Sequence, residues 1–265
     1  MIKTRVSAVQ FSYDDRVTTG PVRPVLLRNG AGIKDPLRVV LGFLTAPGRF
    51  DVGDPLRPAS FGEPDLRLAN RGGARISAAQ IAAILERRPA IERALRAIPA
   101  TASLSAAVNL VPWLPLRQLF DAFADIRGVG LAKMTKALYP KRPALIPMLD
   151  SIVQKYLQDD DPGAQAALAE RALGLVRGYQ RDLDRNQAAV HEVRQELARR
   201  GYGLTEVRIL DLLILSAQAA AWAAGALWAG AVAAPPLVSG HTASGGRTIN
   251  NLSTQHRPTL PNSGR

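Results

Sequence analysis

Cysteine is absent from this 265-residue chain. That absence excludes disulfides, thiol catalysis, cysteine-ligated zinc and iron–sulfur clusters together, and it fits a reducing compartment. Histidine is scarce: His191, His241 and His256 do not cluster in sequence, so the expectation is ordinary surface histidines, with no metal and no cofactor. His191-Glu192 lacks the second histidine of a zinc-protease helix, and neither a G-x-x-x-x-G-K-[ST] phosphate loop nor a G-x-S-x-G elbow occurs. The segment MIKTRVSAVQFSYDD carries no apolar run ahead of its first acidic residues, which reads as no secretory signal and a cytoplasmic protein. Acidic residues are few, 22 Asp plus Glu against 34 Lys plus Arg, for a net charge of +12.

What is present is enough apolar material for a core. Hydrophobic residues make up 47% of the chain, and the mean hydropathy is −0.01. A wholly disordered basic protein and a fibrous one are therefore excluded. The positive charge favours polyanionic partners, because neutralising phosphates releases counterions and speeds encounter. Its global value is shared with a bland cause: 28 of the basic residues are Arg and only six are Lys in an Ala-rich chain, the usage a GC-rich genome imposes. The positions of the lysines carry more information, since Lys133, Lys136, Lys141 and Lys155 fall in one stretch.

The periodicity predicts a mainly α fold, a helical bundle with an irregular N-terminal segment over residues 1–66, a helical domain over 67–230 and a disordered tail over 235–265. Asp35-Pro36 reads as an N-cap and first helical position ahead of LRVVLGFL, although Val39 and Val40 also allow a strand. Ser77-x-x-Gln80 is a capping-box pattern, followed by Ile81, Ile84 and Leu85 on one face. Ile91, Leu95 and Ile98 mark a second short helix; Leu116, Leu119, Phe120, Phe123 and Ile126 mark a third. The acids Asp159, Asp160 and Asp161 are expected to cap a long helix striped by Leu168, Ala172, Leu175, Tyr179 and Leu183. Val190, Val193 and Leu197 stripe the next helix, which ends at Gly201, and Thr205 caps the last. The tail beyond Pro236 is rich in Gly, Ser, Thr, Asn and Pro and has no apolar period.

One stretch stands apart, residues 124–157. An apolar helix leads into Gly128-Val129-Gly130, and Leu131, Met134 and Leu138 form the buried face of a second short helix. This resembles a helix-hairpin-helix, placed at 116–139. Glycines let backbone N–H groups approach a phosphate closely, while the next helix N-terminus and lysine side chains add positive potential. Arg127, Lys133, Lys136, Lys141, Arg142 and Lys155 face only Asp150 in this span. The candidate nucleic-acid-binding residues are accordingly Arg127, Gly128, Val129, Gly130, Lys133, Lys136, Lys141 and Arg142, with duplex DNA as the partner and a protein partner also allowed.

The resemblance extends to the helix-hairpin-helix DNA glycosylases of base excision repair. In that superfamily the hairpin is followed by a helix, a proline-containing connection and an Asp opening the next helix; here those places hold Gly130, Pro143 and Asp150-Ser151-Ile152-Val153. The resemblance implies a catalytic role for Asp150 in N-glycosidic cleavage of a base turned out of the stack. Ala132 stands where bifunctional members place a Schiff-base lysine, so lyase chemistry is not implied. Without Cys there is no iron–sulfur loop. Read from its own surroundings, Asp150 is also an N-cap, beside Ser151. The chain is similar as well to uncharacterised, mainly actinobacterial proteins that share a motif like ANRGGARIS, matched here from Asn70 to Ser77, the G-V-G hairpin, the KRP-x-x-x-P-x-x-D block at Lys141 to Asp150 and TEVRILDLLIL at Thr205 to Leu215. That resemblance implies a core role for RILDLLIL.

Two functions of different class follow as expectations: a DNA-binding module making sequence-independent phosphate contacts, and a monofunctional glycosylase-like enzyme using Asp150. A weaker third is membrane association through Leu212 to Ala234, which holds 23 residues without a charge but eleven Ala among them.

Overall fold

The computed structural model describes residues 22–45 and 58–232. Among them are ten α-helices and one two-stranded antiparallel sheet, a mainly α fold. The first compact unit, Met1–Gly225, holds the elements up to most of the last helix. The second, Ala226–Arg265, contributes only that helix's end to the described residues.

Strand β1 (Val25–Leu26) pairs with β2 (Gly32–Ile33), Val25 opposite Ile33 and Leu26 opposite Gly32. The run after Asp35 is helix rather than strand. Asp35 accepts a hydrogen bond from the Arg38 amide at 3.0 Å, Pro36 needs no donor at the first position, and α1 spans Pro36–Leu44. Helix α2 (Glu63–Arg71) starts ahead of residue 67, so the helical region reaches further back than the apolar period indicates. Helix α3 (Ala78–Glu86) opens with the capping box: the Gln80 amide donates to Ser77 Oγ at 3.3 Å, and the Ser77 amide donates to Gln80 Oε1 at 3.1 Å. Helix α4 (Arg88–Ala97) buries Ile91 and Leu95, and Ile98 at its end is buried as well.

Helix α5 (Trp113–Asp121) is shorter than its apolar spacing implies. Past Asp121 the chain makes tight turns, with Phe123 donating to Phe120 O and Ala124 to Asp121 O, and Asp125 takes a left-handed conformation at φ 61°. Phe123 and Ile126 remain buried, so helical spacing persists in residues that are not helical. Helices α6 (Leu131–Leu138) and α7 (Ser151–Tyr156) follow. The long α8 (Leu168–Arg185) buries Ala172, Leu175, Tyr179 and Leu183, and α9 (Gln187–Arg199) buries Val190, Val193 and Leu197. Thr205 Oγ1 accepts from the Arg208 amide at 3.2 Å and opens α10 (Glu206–Val232).

The main helix contacts are α5 on α8, α4 on α5 and α2 on α6. Phe61 meets Phe123 edge to face at 6.1 Å between centroids. Ile209, Leu210, Leu212, Leu213 and Ile214 are buried in the core, which places RILDLLIL there. Among the described residues no helix is long and apolar enough to cross a membrane. The 235–265 tail, with His241 and His256, lies outside the described residues.

The acid run does not cap α8, which starts at Leu168, seven residues after Asp161. Asp161 instead pairs with Arg171 in two bonds of 3.0 and 2.7 Å. Asp160 projects onto the middle of α8, where Gly174 and Gly178 make room. A Cβ on Gly174 would sit 2.5 Å from Asp160 O, and one on Gly178 would collide with the Asp160 carboxylate.

Candidate functional site

The turn between α5 and α6 runs through Gly128-Val129-Gly130. Gly128 is left-handed at φ +75°, and the Val129 amide donates to Ile126 O at 3.0 Å. Gly130 is the N-cap of α6 but offers no side-chain cap, so the first helical amides, with their partial positive charge, are left for an outside acceptor. Val129 is buried, while Arg127, Gly128 and Gly130 are exposed.

Gln80 ties this hairpin to α3. Its Nε2 donates to Arg127 O at 3.3 Å, and its Oε1 accepts from Lys133 Nζ at 2.8 Å. A Cβ on Gly128 would lie 2.5 Å from Gln80 Nε2, which gives the glycine a packing reason beside its backbone one. A second loop, Arg71 to Arg75, docks on α6 through Lys136, whose Nζ donates to Gly72 O at 3.2 Å. Asn70 staples that loop shut by donating to Ile76 O at 2.9 Å and accepting from the Ile76 amide at 2.6 Å. Gly73 and Arg75 are both left-handed, at φ 79° and 55°. With Asp125 and Gly128, two adjoining loops thus hold four left-handed residues, and Arg75 and Asp125 are the non-glycine ones.

Arg71, Arg75 and Arg127 are exposed, and Lys133 and Lys136 half-buried. None of these five takes part in an ion pair among the described residues. Among the described residues the two lysines meet only neutral oxygens. Arg71 and Arg75 carry no signal in helical periodicity; the glycine pair between them, in RGGAR, is what marks the loop.

Lys141 and Arg142 go elsewhere, and the expectation that they face a phosphate needs correcting. Lys141 is buried and pairs with Asp65 at 2.7 Å in the first turn of α2. Arg142 is buried too: Nη1 donates to Pro58 O and Lys141 O at 2.8 and 2.7 Å, and Nη2 to Leu95 O and Ile98 O at 2.6 and 2.7 Å. It therefore satisfies the last carbonyls of α4, where a cation also complements the helix dipole. Burial lowers its pKa, and its Nε has no hydrogen-bond partner. The KRP block clips α2 and α4 to the hairpin unit.

Asp150 is the N-cap of α7, Oδ1 accepting from the amides of Ile152 and Val153, both at 3.0 Å. That is the role its setting beside Ser151 also allows. Two clefts, one between Arg28 and Arg181 and one at Trp113 and Arg177, are lined by neither Asp150 nor Lys133 nor Lys136. Behind Asp150 lies a buried carboxyl. Asp211 Oδ1 accepts from Tyr179 Oη at 3.1 Å, while Oδ2 has no partner. Burial pushes Asp211 up to about 7, Arg208, Tyr179 and the Met148 backbone opposing. His191 is an exposed residue whose Nδ1 lies 3.0 Å from Glu206 Oε1.

Residues that periodicity passes over form an ion network below the β1–β2 turn. Arg28 Nε donates to Asp182 Oδ2 at 2.8 Å, Nη2 to Gly178 O at 2.6 Å, and Nη1 to the Asp160 carboxylate. Tyr156 Oη donates to Asp182 Oδ2 at 2.6 Å, and Arg185 Nη1 lies 3.0 Å from Asp182 Oδ1. Burial lowers the Arg28 pKa, but Asp182 and Asp160 outweigh it, so the net shift is upward. Burial, then Asp182, raises Tyr156. The available sequence signal is Gly174-x-x-x-Gly178, a small-residue pair on one face of α8.

The fold and surface define a helical protein with a basic, glycine-turned face. The chain belongs to a family of unknown function (DUF6308), whose model matches residues 54–218. No curated protein and no solved structure matches it.

Proposed function

We propose that this protein binds duplex DNA without sequence preference, through phosphate contacts made by the 127–136 hairpin and the Arg71 to Arg75 loop. The observation that carries the reading is the set of five cations on two adjoining loops, Arg71, Arg75, Arg127, Lys133 and Lys136, with no carboxylate partner among the described residues. Uncompensated positive charge is what a polyphosphate backbone rewards, and the uncapped α6 amides add oriented dipoles beside it. Nothing in this arrangement reads base edges, so affinity is expected to follow salt rather than sequence.

Arg75 and Arg127 are the cleanest probes, because among the described residues their side chains make no hydrogen bond, whereas Lys133 and Lys136 help dock neighbouring segments. Fluorescence anisotropy on a duplex of roughly 20 base pairs, titrated over salt, tests the reading. Arg75→Glu and Arg127→Glu should each weaken binding and reduce the salt slope by about 1. Binding that is indifferent to both changes, or to salt, overturns it.

A further inference from the structure

An open cleft of about 380 Å³ lies over the Arg28 ion network, walled by the β1–β2 turn, α7 and α8. Its floor and its rim differ in what their donors have left to give. On the floor, all three nitrogens of the Arg28 guanidinium are engaged, by Asp182, Asp160 and Gly178 O. The Arg28 guanidinium also lies 5.5 Å from the centroid of the Tyr156 ring. This part is fixed structure.

On the rim, Arg181 uses one nitrogen on Asp160 and is 58% exposed, and Arg185 uses one on Asp182 and is 48% exposed. Lys155, across the cleft on α7, is exposed and takes part in no ion pair among the described residues. Arg181 and Arg185 stand four residues apart on α8, hence side by side on one face. Each is held at one edge by a carboxylate, which limits its rotamers and leaves its remaining N–H groups aimed outward with less entropy to lose on binding. The cleft is lined by two acids, Asp160, which is already paired, and Asp159, which takes part in no ion pair among the described residues, against three rim cations with spare donors.

We propose that this cleft binds a phosphate group. Two guanidinium forks and an ammonium offer more donors than a carboxylate has lone pairs directed at them, whereas a phosphate presents three or more acceptor oxygens around a tetrahedral centre. The site shares no residue with the hairpin surface, so it stands whether or not the DNA reading does. The phosphate could come from a free phosphorylated metabolite or from a nucleic-acid end, and the chemistry of recognition is the same.

Isothermal titration of the full chain with pyrophosphate at fixed ionic strength tests it, beside Lys155→Gln/Arg185→Gln and Arg127→Glu. Wild type and Arg127→Glu should bind alike, on the order of 1 mM or tighter, and the double variant at least about tenfold more weakly. If the double variant unfolds, Lys155→Gln alone is measured, since among the described residues that side chain makes no hydrogen bond or ion pair. A loss of about threefold is then expected. Displacement of pyrophosphate by a 5′-phosphorylated oligonucleotide but not by its dephosphorylated form assigns the phosphate to a nucleic-acid end. Displacement by a nucleoside monophosphate alone assigns it to a small molecule. No binding by wild type at about 10 mM, or binding by Lys155→Gln/Arg185→Gln, or by Lys155→Gln where that variant is the one measured, equal to that of wild type, overturns the proposal.

Discussion

The two halves of the basic stretch have opposite fates. From Arg127 to Lys136 the cations lie at or near the surface and meet only neutral oxygens. From Lys141 to Asp150 the charged groups turn inward: Lys141 pairs with Asp65, Arg142 collects four backbone carbonyls, and Asp150 caps α7. A few residues of sequence separate them. The difference teaches that a run of positive charge is not a binding surface until its partners are known. A cation already satisfied inside the fold holds helices together, while one left without a counter-charge adds to the field that attracts a polyanion.

The sharpest break in this comparison is Arg142→Met. It removes the guanidinium from four backbone carbonyls, of which Leu95 O keeps the Ile98 amide, and equilibrium urea denaturation should lose about 3 kcal/mol or more. Arg127→Glu should stay within about 0.5 kcal/mol of wild type in the same measurement. If the two lose equally, the division between inner and outer cations is wrong.

Asp211 lies beneath the inner half, close enough to Asp150 for their charges to interact. Its folded pKa of about 7 is above its unfolded value of 3.8, so between these values the folded chain holds a proton that the unfolded chain has lost. Stability therefore falls as pH rises through that window and levels off above it, by an amount on the order of a few kcal/mol. In Asp211→Asn the slope between pH 4 and 7 should flatten; an unchanged slope would assign the titration to another group.

Next in size is the outer half. Arg75→Glu combined with Arg127→Glu should raise the Kd for duplex DNA about tenfold, equivalent to about 1.4 kcal/mol, with the melting temperature nearly unchanged. Parallel losses of binding and stability would mean that these loops serve the fold rather than a ligand.

Asp150 gives the smallest effect. As an N-cap it should cost about 1 kcal/mol on change to Ala and only a few tenths on change to Asn, which caps equally well. Release of a base from damaged DNA by wild type that is abolished in Asp150→Asn would make it a catalytic residue as well as a cap.

Much of the fold is legible in the chain because its signals are local. Asp35, Ser77 with Gln80, and Thr205 each find their amide within three residues, and the apolar stripes of α8 and α9 are buried as their spacing predicts. Where a signal depends on distant partners it misleads. Helical spacing continues through Phe123 and Ile126, yet a left-handed Asp125 lies between them and both are buried from a turn. The acids at 159 to 161 resemble a cap for α8, yet Asp160 meets Arg28 from 132 residues away.

The sequence by itself determined a mainly helical chain, the starts of its helices, the glycine turn at 128–130 and a surplus of positive charge. Only the tertiary structure decided which cations remain uncompensated, that RGGAR joins the hairpin, and that Arg28, Lys155, Arg181 and Arg185 meet around one cleft. The physical reason is range. Capping and amphipathic spacing act within a turn or two of helix, whereas the worth of a charge depends on burial and on counter-charges that the fold brings from anywhere in the chain.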